Sequence, residues 1–147
     1  FTHVLGHGGW DHLAGNLSYI LLLGPLLEEK YGSRTLLSVI LVTAAITGIL
    51  NHVLFPNVAL FGASGVVFAF ILLSSVTSFC TGEIPLTFIL VAVIFLGQQV
   101  IQGIMVADNI SNLSHFAGGI VGGAAGFRLG GKDRESSADV HKEGHGF

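Results

Sequence analysis

The chain has 147 residues, 51% of them hydrophobic and 10% charged, with a mean hydropathy of +0.76. A water-soluble domain is excluded, because a solvated surface needs charges and positions 35–127 carry only two, Glu83 and Asp108. A net charge of −3 offers no basic face to nucleic acid, and the single Cys80 admits no internal disulfide.

The chain opens at Phe1 without the Met or basic stretch of a secretory signal, so its natural start is expected upstream. Taking charged and Gly/Pro/Asn clusters as breaks leaves five apolar segments, about 12–29, 35–55, 62–80, 84–105 and 111–128. Each is near the ~20 residues that cross a bilayer. Each is expected to be helical, since lipid offers no hydrogen-bond partner to an open backbone.

In the first segment His12 and Asn16 are four residues apart and share a helix face. Both side chains can donate hydrogen bonds, either to an oxyanion or as a polar clamp between helices. A polar link, Glu28 to Arg34, leads to the second segment, and Phe55-Pro56-Asn57 begins the next link.

The third segment starts with Phe61-Gly62-Ala63-Ser64-Gly65, which sets Ser64 about one turn below the membrane boundary at ~1.5 Å per residue. An isolated Gly-x-Ser-Gly inside an apolar span also fits a small residue at a helix contact. It is not the soluble-hydrolase elbow, because Val66 stands where the second glycine of Gly-x-Ser-x-Gly belongs.

The fourth segment carries Gln98, Gln99 and Gln102, residues suited to interhelical hydrogen bonds, the border of a substrate entrance or a polar path. The fifth holds His115, as shallow as Ser64 if both helices enter from the same side. A neutral imidazole has the basicity to activate a serine hydroxyl near pH 7. Gly118, Gly122 and Gly126 follow at a spacing of four and form a bare strip for close helix packing. Residues 129–147, with Gly130-Gly131, His141 and His145, form a polar tail expected to be disordered.

All six Lys and Arg, at 30, 34, 128, 132, 134 and 142, fall on one face if five spans alternate. That face is expected to be cytoplasmic, with Ser64 and His115 near the outer one.

Four motifs together resemble the rhomboid family of intramembrane proteases: His12-x-x-x-Asn16, Glu28-x-x-x-Gly32-Ser33, Gly62-x-Ser64-Gly65 and His115-x-x-Gly118-x-x-x-Gly122. The resemblance covers residues 1–128, an all-α, multi-pass protease domain with five helices of a six-helix core, the first helix lying outside this sequence. It implies Ser64 as nucleophile, His115 as base, and His12, Asn16 and Gly62 around the oxyanion. It further implies transmembrane protein substrates and neither metal nor organic cofactor, and the compact loops suggest a prokaryotic plasma membrane. His3 and His7 match structural histidines of the family, and Glu28 is expected to tie the first cytoplasmic turn. A relative that binds transmembrane clients without cleaving them, and a small channel lined by the Gln cluster and His115, are the alternatives.

Overall fold

The computed structural model describes residues 2–81, the single positions Leu86, Ile89, Leu90, Val93, Ile94 and Gly97, and residues 109–143, with side chains for 2–76, those six and 113–130. It is all-helical. After a 3-10 turn, Thr2–Val4, come α1 (Trp10–Tyr31), α2 (Ser33–Leu54), α3 (Ser64–Thr81) and α4 (Asn109–Glu143). The six single positions are helical as well. The rest of the 84–105 segment, with its three glutamines, lies outside the described residues.

One residue, Gly32, separates α1 from α2. It holds φ 79°, a conformation a side chain disfavours, and its N–H donates to the Glu28 carbonyl at 2.8 Å. The Ser33 hydroxyl donates to the Glu28 carboxylate at 2.5 Å, so Glu28 ties both helices at this turn. Pro25 sits inside α1 without ending it. Proline in a helix surrounded by other helices is tolerated where neighbours satisfy the freed carbonyl.

The central helix is α3, in which Val66, Val67, Ala69, Phe70, Ile71 and Leu73 are all buried. Around them pack Leu23 and Leu27 of α1, Leu36 and Val39 of α2, and Val121 of α4. The closest approach is between α3 and α4. A Cβ on Gly118 would run into the Gly65 carbonyl, one on Gly122 into the Ala69 carbonyl, and one on Gly126 would come within 2.8 Å of Val76 Cβ. Contacts that advance in step along both chains mean that the two helices run parallel and enter from the same end.

Polar and apolar residues are distributed in the reverse of a soluble protein. Asn16, Thr43, Thr47, Ser114 and His115 are buried, while Leu21, Leu37, Val42, Ile49, Phe116 and Phe127 are exposed. That is the arrangement a lipid solvent favours. Among the described residues one helix, α2, is both long and apolar enough by length and composition to cross a bilayer.

Arg128 lines the same groove as Thr35 and Ser38 at the start of α2, so it lies at the end of the bundle where α2 begins. The helix does not stop near Arg128, where the sequence suggests a break. It continues through Gly130-Gly131 to Glu143, since two glycines cost only ~1 kcal/mol each and helix formers such as Ala138 and Lys142 follow.

Candidate active site

The first turn of α3 begins at Ser64, with Val67 N–H donating to the Ala63 carbonyl at 3.0 Å. The N–H of Ser64 therefore has no carbonyl to meet within the helix, and it stands at the positive end of the helix dipole. Ser64 is half-buried and lines a small pocket with Gly62, Gly65, Thr47, His3 and Ser114.

Before it, Gly62 adopts φ 111°, again a conformation reserved for glycine. This brings α1 close: a Cβ there would lie 2.7 Å from His12 Nε2 and 3.5 Å from Asn16 Nδ2. His12, Asn16 and Gly62 thus meet beside the start of α3. Asn16 is 5% exposed and its Nδ2 has no hydrogen-bond partner among the described residues, a costly state for a buried amide. The His12 ring also meets His7 edge to face at 5.1 Å.

From the other side α4 delivers His115, which is 7% exposed. Its ring stacks on Phe68 with centroids 5.8 Å apart and planes 22° from parallel. Phe68 is one turn along α3 from Ser64, on the same helix face. Ser114, adjacent to His115, lines the Ser64 pocket, and its carbonyl would be 3.2 Å from a Cβ on Gly65. The glycine contacts at 118 and 122 fix this depth.

Several contributors escaped the sequence reading. Thr47, buried in α2, reaches the pocket from a third helix, and Phe68 backs the imidazole. Thr43 and Thr47, two hydroxyls one turn apart in an apolar helix, are the signal that was available. His3 joins two parts of the site: its carbonyl accepts the Gly62 N–H at 3.0 Å and its Nε2 lies 3.1 Å from Thr47 Oγ1.

A half-buried serine hydroxyl, a buried imidazole from a parallel helix and donors at a helix start are groups that acyl transfer can use. The Rhomboid domain family matches residues 1–132. The chain is 31% identical over 130 residues to Rhomboid protease GlpG of Haemophilus influenzae, covering 86% of this chain and 66% of that protein. It is 30% identical over 139 residues to Rhomboid-like protein 11, chloroplastic, of Arabidopsis thaliana, covering 82% of this chain and 48% of that protein. The chain thus spans just under two thirds of the first relative and about half of the second. No solved structure matches it. With a family match over nearly its whole length and a helical fold of apolar exterior, the chain belongs to the rhomboid family and is an integral membrane protein.

Proposed function

We propose that the protein is an intramembrane serine endopeptidase that cleaves within or beside transmembrane segments of other membrane proteins. The observation that carries this reading is the convergence at the start of α3. Ser64 stands at the open helix end, with Gly62, His12 and Asn16 on one side and the Ser114–His115 turn packed against the other. Ser64 Oγ attacks the scissile carbonyl while His115 takes its proton and returns it to the leaving amine, and a water activated by His115 then cleaves the acyl ester and restores Ser64. The Ser64 N–H, Asn16 Nδ2 and His12 stabilise the oxyanion, with Gly62 shaping the space they point into. Nucleophile and base both come from the chain, so no metal or organic cofactor enters the scheme.

Five spans with the basic end in the cytoplasm set the site near the outer face, where water reaches it. A substrate helix must unwind there, because helical amides are shielded and already bonded, so segments weakened by Gly or Pro are preferred. Replacing Ser64 with Ala abolishes both cleavage of a transmembrane reporter and fluorophosphonate labelling, with thermal unfolding unchanged. Undiminished turnover in that variant ends the proposal. Failure of the wild-type chain to react with the fluorophosphonate favours a client-binding role instead.

A further inference from the structure

We infer that His3 is a positioning residue which, through Thr47, sets the geometry of the chain presenting Gly62 and Ser64; the inference rests on the protease reading above. His3 lies outside the helices, in the turn Thr2–Val4. Its carbonyl accepts two N–H groups, Gly6 at 3.1 Å and Gly62 at 3.0 Å, and so joins the chain before α1 to the chain entering α3. Its imidazole Nε2 meets Thr47 Oγ1 of α2 at 3.1 Å, and Thr47 is 3% exposed.

The direction of that last bond follows from proton counting. Thr47 has one hydroxyl proton, which it donates to the Thr43 carbonyl at 2.8 Å. Its oxygen therefore accepts from His3, and the proton of His3 resides on Nε2. The Thr47 methyl lies 3.3 Å from the place a Cβ on Gly65 would take, so the same residue also backs the first turn of α3. His3, Thr47, Gly62, Ser64 and Gly65 all border one pocket.

Gly62 has no side chain to hold its φ of 111°, so the bond at its N–H is what fixes the peptide facing His12 and Asn16. If the imidazole loses Thr47, its backbone can turn and carry the Gly62 peptide with it. Substrate binding in the membrane is untouched by that rotation. What suffers is the alignment of nucleophile and oxyanion donors, where displacement of about 1 Å lowers rate up to roughly a hundredfold.

The test uses the full-length protein in liposomes, with kcat referred to active sites titrated to completion by a fluorophosphonate. Thr47→Val keeps the shape but cannot accept from His3, and it lowers kcat per titrated site about tenfold or more with KM within about twofold. His3→Ala does the same, and the double variant is no slower than the worse single one, as for two partners in one contact. Thr47→Ser, which keeps the hydroxyl, recovers most of the rate. A merely structural role would lower the number of titratable sites and the unfolding temperature while leaving kcat per site unchanged. That outcome, with Ser64→Ala inactive, overturns the positioning role and leaves the protease reading standing. Cleavage by Ser64→Ala removes both.

Discussion

At Gly62 two demands coincide, a φ of 111° and a His12 ring 2.7 Å from where a side chain would begin. Gly62→Ala must both strain the backbone, by roughly 1–3 kcal/mol, and displace His12. Cleavage is expected to fall by about a hundredfold or more, measured against a reporter, with a lowered unfolding temperature. Asn16 gives the opposite stability result. Its buried Nδ2 lacks a partner among the described residues, so Asn16→Leu relieves a desolvation cost and leaves stability equal or about 1 kcal/mol higher. On the proposed mechanism turnover still drops about tenfold or more, because the proposed oxyanion donor is gone. Gain in stability with loss of rate marks a side chain retained for chemistry.

His3 adds a pH dependence. Burial lowers its pKa below the ordinary 6.5, so folding favours the neutral ring. The unfolded chain then binds more protons over the window from 6.5 down to the folded value, and stability falls with pH across it. Thermal unfolding followed from about pH 7 to about pH 5 is expected to show that decline, and His3→Gln to flatten part of it.

Between elements, the tight seam of α3 and α4 carries the geometry of the site. Gly122→Val drives a branched side chain into the Ala69 carbonyl, so it is expected to cost about 3 kcal/mol or more in a detergent unfolding titration. Gly123→Ala, at a position with open space, is expected to be neutral or slightly stabilising. The strip at 118, 122 and 126 was legible from sequence because a spacing of four survives in any helix, whatever it packs against. The segments taken for α1, α2 and α3 agree with the helices to within a few residues for the same reason, since charge and glycine breaks are local signals. The partners were not legible. His3 with Thr47 is a contact across 44 positions, and Phe68 against His115 joins two helices whose facing sides depend on the whole packing. Nor does a Gly-Gly pair by itself say where α4 ends, because the cost of two glycines is offset by the helix formers that follow.

For the molecule as a whole, solvent identity decides the sign of surface substitutions. Leu41 is 49% exposed near the middle of α2, and Thr43, two positions on, is fully buried with a side-chain oxygen that has no partner among the described residues. In water, an exposed Leu exchanged for Arg changes stability by no more than about 0.5 kcal/mol. In a bilayer the same change sets a charge against acyl chains, at about 2.5–3.5 kcal/mol on insertion scales. Leu41→Arg is therefore expected to reduce membrane insertion and the folded fraction in liposomes sharply, whereas Thr43→Val, buried and isosteric, is expected to be neutral or stabilising. An insertion assay on α2 with both variants measures this directly. Equal tolerance of Arg at Leu41 would mean that this face meets water, and the reading of the apolar exterior as a lipid-facing surface would fall with it.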